Sequence, residues 1–394
     1  MLKNFFKVSA LLALTLNATP KKELNVLLFG RTGSGKSTLL NVFYNHMHRL
    51  AYEDERAIII PLSDHGRRIE VNVDAFKDQE IILKPRGSSQ TEQILPYHLE
   101  NAEYNITFWD TPGFMDTRGN MADARHRDLL AEFLTKTPIH AVAFVLTKSD
   151  VVRDSERYQD GVDMIRRLLP KSFLPNIVGV YNNLGLAGPT YQEGCRDSLS
   201  KLFDPDIRIP TYFIDGSALF NDSSKLKPHE KIYASEFWAK DRKAVEKLLL
   251  QTKNDRVLNL EEVKKIQELQ REIYDAVDGM NQYFRLLEFQ KSNLKLLEAK
   301  KTDSSEKIKL CKVEIQNLET ERTRKIKKLS AWQNELIQLA MKAGSTDAYV
   351  WYLSNLLSPL KDDFSVSREE YASQKQLCQD WTQTYKELDM LGTR

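Results

Sequence analysis

Apolar and polar positions follow two different rhythms along the chain. From residue 24 to about residue 222, short apolar runs alternate with longer stretches of helical spacing. Leu24–Phe29, Ile139–Leu146 and Asn176–Tyr181 are apolar at most positions, as buried parallel strands are. Residues 93–99 and Tyr104–Trp109 read as an antiparallel pair joined by the short turn Glu100–Glu103. Pro210–Asp215 reads as the last strand, and helices are predicted over Met121–Leu134 and Asp154–Leu169. Arg56–Leu62 and Arg68–Val73 have strand character but no obvious place. Strands alternating with helices predict an α/β fold.

From about Ser235 the rhythm becomes helical. Ile273, Val277, Met280, Phe284, Leu287 and Leu294 recur at three-four spacing among charged residues, as in a coiled-coil seam. The polar stretch Lys301–Glu306 interrupts it, and Asp303 with Glu306 forms a helix-start signature. A second helix carries Ile308, Cys311, Ile315, Leu318, Leu329, Leu336 and Leu339. Two such helices around a short break predict an antiparallel hairpin. Ala343-Gly344-Ser345 ends it, and residues 346–394 read as helical again, with Trp351, Tyr352, Leu356 and Leu357 clustered as a core group. The expected organisation is an apolar N-terminal segment (1–22), an α/β domain (23–223), a helical hairpin region (224–342) and a C-terminal helical segment (343–394).

Charge narrows the classes of partner. The 57 basic and 55 acidic residues of this 394-residue chain leave a net +2, which argues against nucleic acid held by bulk charge. The lysine clusters on the helices read as solvated faces, with a phospholipid-facing role as the lesser alternative. Cys195, Cys311 and Cys378 are far apart and share no metal-ligand spacing, which fits a reducing compartment. No apolar run approaches the roughly 18 residues that a membrane-crossing helix needs. Met1–Lys7 is weakly basic and Val8–Leu16 mostly apolar, the outline of a secretory signal, of a packed helix or of a weak membrane contact.

The chemistry lies in the loops after the strands. Gly30-Arg31-Thr32-Gly33-Ser34-Gly35-Lys36-Ser37 fits G-x-x-x-x-G-K-S/T, and it sits between an apolar strand and a helix opening at Thr38. Glycines let backbone N–H groups turn inward around a phosphate, and the helix N-terminus adds positive potential. Lys36 is placed to reach β- and γ-phosphates and to stabilise charge during transfer, and the Ser37 hydroxyl to bind Mg²⁺. Asp110-Thr111-Pro112-Gly113 ends the second strand of the antiparallel pair. Its carboxylate suits Mg²⁺ and the Gly113 N–H suits a γ-phosphate. Thr91, with Ser89 in reserve, precedes that pair and can offer its hydroxyl to Mg²⁺ and its N–H to the γ-phosphate. A cytosolic setting follows from a need for nucleotide and Mg²⁺. Phe114 stands where a water-orienting Gln is common, so hydrolysis should be slow or assisted.

The base-reading motif is incomplete. Thr147-Lys148-Ser149-Asp150 satisfies N/T-K-x-D, but it follows the first parallel strand after the Asp110 turn, one strand too early. The next strand ends in Asn182-Asn183-Leu184-Gly185, where Asn182 can contact a base but Gly185 replaces the Asp that would accept two bonds from guanine. After the last strand, Gly216-Ser217-Ala218 reads equally as a base-bracketing loop and as an ordinary turn.

Together these residues resemble the septin-like, AIG1-type branch of the translation-factor-related GTPases. The resemblance rests on Gly30–Ser37 with Asn41 following, on Ser89-x-Thr91 and on Asp110-Thr111-Pro112-Gly113-Phe114, and covers residues 24 to about 222. It implies a three-layer P-loop G domain, with a mostly parallel sheet and one antiparallel strand, ahead of an all-α coiled-coil region. It also implies GTP and GDP as ligands with Mg²⁺, and self-association or partner binding governed by nucleotide state. A small G domain needs fewer residues than separate Gly30 from Asp110, so an insertion is expected between residues 48 and 85. Two other readings stay open: a P-loop ATPase or nucleotide kinase, and a non-cycling nucleotide-binding scaffold.

Overall fold

The computed structural model describes residues 21–64, 67–77, 93–114, 120–147, 156–182, 189–203, 207–220, 226–252, 256–299 and 305–340. The apolar N-terminal segment, the Ser89–Thr91 loop, Lys148–Asp150, Asn183–Gly185 and the C-terminal segment from 343 lie outside these residues. The strands are β1 (Lys22–Phe29), β2 (Leu62–Asp64), β3 (Arg67–Ile69), β4 (Leu95–Glu100), β5 (Tyr104–Asp110), β6 (Ala141–Leu146), β7 (Ile177–Asn182) and β8 (Thr211–Ile214). The α-helices are α1 (Lys36–Met47), α2 (Asn120–Leu134), α3 (Glu156–Leu168), α4 (Pro189–Phe203), α5 (Pro228–Gln251), α6 (Leu260–Ala299) and α7 (Ser305–Leu339). Contacts divide the chain into two compact units, Met1–Met164 with Ser172–Leu260, and Ile165–Lys171 with Glu261–Arg394.

The first unit is built on a six-stranded sheet of order β4-β5-β1-β6-β7-β8. Every neighbouring pair is parallel except β4 with β5. This is the mostly parallel sheet with one antiparallel strand that the sequence pattern and the resemblance imply. Burial on both faces explains the apolar runs. On one face Val26, Leu28, Ile106, Phe108, Ala143 and Val180 meet Leu39 and Phe43 of α1 and Trp238, Val245 and Leu248 of α5. On the other, Phe144 meets Phe203 of α4 edge-on at 5.6 Å, and Trp109 meets Phe133 of α2 at 4.8 Å. The sheet thus lies between two helical layers.

The compact unit extends past residue 223 to include α5. Pro228 begins that helix, and Glu230 accepts from the Lys227 N–H at 2.8 Å, which stops one of the orphan donors of the first turn. Trp238 is buried and donates from Nε1 to the Leu50 carbonyl at 2.9 Å. The apolar stretch Ile58–Ile60 is not a strand, although its letters suggest one. Asn41 of α1 accepts from the N–H groups of Ile59 and Ile60 at 2.7 and 3.1 Å and donates to the Ile60 carbonyl at 3.0 Å. Asn45 does the same for Ala57, donating at 2.7 Å and accepting at 3.1 Å. Two buried asparagines therefore take the backbone bonds that a neighbouring strand would otherwise supply. The small antiparallel pair β2–β3 follows, between α1 and β4.

In the second unit α6 and α7 run antiparallel. Ion pairs Lys265–Glu335 (3.4 Å), Lys291–Glu319 (3.3 Å) and Lys312–Glu298 (3.0 Å) join early positions of one helix to late positions of the other. Ile266, Leu269, Leu336 and Ala340 form a buried cluster. Cys311 is buried, with Sγ 3.5 Å from the Gln290 carbonyl. Among the described residues, no helix is long and apolar enough to cross a membrane.

Candidate functional site

The carboxyl ends of β1, β5, β7 and β8 bring together most of the residues singled out from the sequence. β1 delivers the chain into the glycine loop, and α1 leaves it. Gly33 and Gly35 hold left-handed φ values of 79° and 89°, which side chains disfavour. A Cβ on Gly35 would also stand 2.1 Å from Asn182 Nδ2, so close approach and backbone twist both demand glycine there.

Lys36, the first residue of α1, is only 8% exposed and curls back over the loop. Its Nζ donates to the carbonyls of Gly30 at 3.1 Å and Arg31 at 3.3 Å. Burial pushes its pKa down, and the Asp110 carboxylate opposes that shift. Asp110, at the end of β5, is 1% exposed. Its Oδ2 accepts from the Ser37 hydroxyl at 3.3 Å. Thr111 anchors the turn to β1 by donating from Oγ1 to the Leu28 carbonyl at 2.7 Å. Two hard oxygen donors from separate motifs therefore stand side by side, which suits Mg²⁺.

The Asp110 turn is laced to the glycine loop. The Thr32 N–H donates to the Phe114 carbonyl at 2.9 Å, and Thr32 Oγ1 donates to the Gly113 carbonyl at 3.2 Å. Thr32 lies so near Gly113 that a Cβ there would fall 2.4 Å from the Thr32 nitrogen. Phe114 is 2% exposed and stacks on Phe29 at 5.2 Å, with Gly161 of α3 against its other side. Its ring is a core anchor, packed on Phe29 and Phe144.

Asn182 joins the loops at the far side of the site. Its Nδ2 donates to the Gly35 carbonyl at 3.4 Å, and its Oδ1 accepts from the Gly216 N–H at 3.3 Å. Both ends of its amide thus hold loops together. Ser217 is exposed and Ala218 is buried. The Ser217 N–H donates to Asp215 Oδ1 at 2.9 Å, and the Ala218 carbonyl accepts from Arg56 Nε at 3.4 Å. Thr38 of α1 packs near Gly216, whose Cβ would fall 2.8 Å from its methyl. Thr147 follows β6, one strand nearer β1 than Asn182. Thr91 and Ser89 lie outside the described residues, so their place in the site stays an expectation.

Two residues beneath the Gly216 loop were not singled out from the sequence. Asp215 caps the turn through Ser217, and an Asp-Gly-Ser run is a readable sign of such a cap. Asp241 of α5, 3% exposed, accepts from the Asp215 N–H at 2.9 Å. Burial pushes its carboxyl up to about 8, partly offset by that bond. No local pattern marks Asp241, because its partner is 26 residues away.

A parallel sheet with an antiparallel edge strand, a glycine loop between β1 and α1, and an aspartate turn beside that loop define a P-loop nucleotide-binding domain of G-domain architecture. No protein-family model matches the chain. A curated relative, GTP-binding protein A of Dictyostelium discoideum, is 27% identical over 125 residues, which make up 32% of this chain and 20% of that protein. The matched part is thus about a fifth of the relative's length. Among solved structures, Toc33 from Arabidopsis thaliana in complex with GDP and Mg²⁺ has a TM-score of 0.38 and 15% identity, covering 66% of this chain and 94% of its own. Toc33 in complex with Mg²⁺ and GMPPNP has a TM-score of 0.36 and 13% identity, covering 61% and 88%. At such scores these are loose likenesses, and the fold rests on the strand order itself.

Proposed function

We propose that the chain is a guanine-nucleotide-binding switch protein with slow or assisted GTP hydrolysis. The observation that carries this is the convergence of Lys36, Ser37 and Asp110, from two loops, around one glycine-lined cradle. The name of the relative that matches over 125 residues, GTP-binding protein A, supports the guanine reading. GTP or GDP would lie against the backbone N–H groups of Gly33 to Thr38, with Lys36 neutralising phosphate charge. Mg²⁺ would be held by Ser37, Asp110 and Thr91, and would supply charge stabilisation at the transferred phosphoryl group. Ser217 and Ala218 would flank the base, with Asn182 holding their loop to the glycine loop.

The buried Phe114 ring supports slow turnover, because no side-chain polar group at that position can orient water. Thr32 lying against Gly113 gives the aspartate turn a direct route to sense what occupies the loop, and nucleotide state would then bias self-association or partner binding. The AIG1-type affiliation and a coiled-coil role for the α6–α7 pair belong to the same proposal, as does a cytosolic setting.

Multiple-turnover phosphate release from GTP, measured at several protein concentrations with Mg²⁺, tests the reading. Slow release that rises with concentration is expected. Faster release from ATP than from GTP would overturn the guanine assignment.

A further inference from the structure

The sheet ends at β8, and the outer edge of that strand pairs with no strand among the described residues. The Gly179 N–H donates to the Pro210 carbonyl at 2.8 Å, which sets the phase of the β7–β8 ladder. Backbone groups of Pro210, Tyr212 and Ile214 therefore face β7, while those of Thr211 and Phe213 face outward. Beyond Phe213 the edge closes, because the next outward N–H, that of Asp215, is taken by Asp241. Two residues thus present a short open ladder.

This edge forms the floor of a groove of about 340 Å³ between α4 and α5. The walls are aromatic at depth and cationic at the rim. Arg196 of α4 lies over the Phe213 ring at 5.0 Å, and Lys240 lies over Phe237 at 5.0 Å. Lys243 and Lys247 continue the row along α5, and both are exposed. Arg196 is shared with Glu193 at 2.8 Å, whereas Lys240, Lys243 and Lys247 make no ion pair within 4.0 Å among the described residues. Two carboxyl groups also face the groove. Asp215 and Asp241 are each engaged by a backbone N–H, and Asp241 is buried. The balance at the open rim is positive.

An unpaired edge with outward N–H and C=O groups binds extended chains by adding a strand, and flanking side chains choose among them. We propose that the open edge of β8 takes an extended acidic segment of a partner protein as an added strand, clasped by Lys240, Lys243 and Lys247. The ladder supplies register and the lysines supply selection by charge. The groove shares no residue with the glycine loop, so the peptide assay reads it separately from the nucleotide assignment.

A fluorescein-labelled Glu-Val-Glu-Val-Glu-Val peptide, titrated into the full chain and followed by anisotropy, tests this. Saturable binding is expected, weakened by about tenfold or more in the Lys243→Glu/Lys247→Glu double variant. The same peptide N-methylated at alternate residues keeps its charge but loses backbone donors, and should not bind. Thr211→Pro removes an outward donor while leaving the β7 ladder and the Phe213–Tyr181 stack in place, and should weaken binding while the melting transition is retained. Equal binding of the N-methylated peptide would overturn the proposal in favour of charge alone. So would tighter, lysine-dependent binding of a poly-U oligonucleotide, a dimer dissolved by the double lysine variant, or no binding of the peptide at all.

Discussion

Asn182, the last residue of β7, donates from its amide to the Gly35 carbonyl at 3.4 Å while its oxygen holds the Gly216 N–H at 3.3 Å. One side chain thereby sets the spacing between the phosphate cradle and the loop after β8. Asn182→Ala removes both bonds and leaves two backbone groups without that partner. A loss of about 1–3 kcal/mol is expected in nucleotide affinity, roughly fivefold to a hundredfold, with the fold retained. Calorimetric titration with GDP and Mg²⁺ against the parent chain checks it; unchanged affinity would show that the link is incidental.

Gly35 faces Asn182 from the other side. Gly35→Ala places a methyl 2.1 Å from the Asn182 nitrogen at a φ of 89°. Both costs fall on the same residue, so the loop must rearrange. The expectation is loss of nucleotide binding with only a modest fall in melting temperature. Gly33→Ala is the control: it carries the strain of φ 79° but meets nothing within 4 Å, and should be the milder change.

Much of this site could be read from local letters. The glycine loop is eight contiguous residues flanked by a strand and a helix, so its conformation depends little on distant contacts. The strands follow from apolar runs and the β4–β5 pairing from the one short turn between them, whereas their order across the sheet is set by contacts distant in sequence. Ile58–Ile60 shows the limit. Its apolar letters are those of a strand, yet its backbone bonds go to Asn41 and Asn72, and no period in the sequence reveals a side-chain ladder. The joining of α5 to the first unit was hidden for a similar reason. Trp238 is buried through a bond to Leu50, 188 residues away. The role of Asp241 depends on the same helix being docked there.

Trp238 gives that docking a test. It packs on His46 at 4.4 Å, and Arg56 lies over its ring at 4.4 Å. Trp238→Ala should destabilise the first unit by about 3–5 kcal/mol, as large core truncations do. Urea unfolding followed by circular dichroism measures it. A change near zero would mean that α5 does not contribute to this core.

Asp241 predicts a pH dependence of definite sign. Its carboxyl is raised in the fold from 3.8 to about 8, so the folded state holds a proton that the unfolded chain has released. The stability it favours is full below about pH 4 and is lost as pH rises toward 8, with a slope of up to about 1.4 kcal/mol per pH unit. Asp241→Asn keeps an oxygen for the Asp215 N–H but cannot ionise. Melting temperatures across this range should fall more steeply for the parent than for the variant. Parallel curves would contradict the assignment.

The central claim is that Lys36 and the glycine loop hold a guanine nucleotide. Isothermal titration of the full chain with GTP, GDP and ATP in the presence of Mg²⁺, repeated with Lys36→Ala, tests it most directly. The account predicts that GTP and GDP bind more tightly than ATP and that the variant binds none of them measurably. Parent and variant binding alike, or a parent that binds no purine nucleotide, would contradict it.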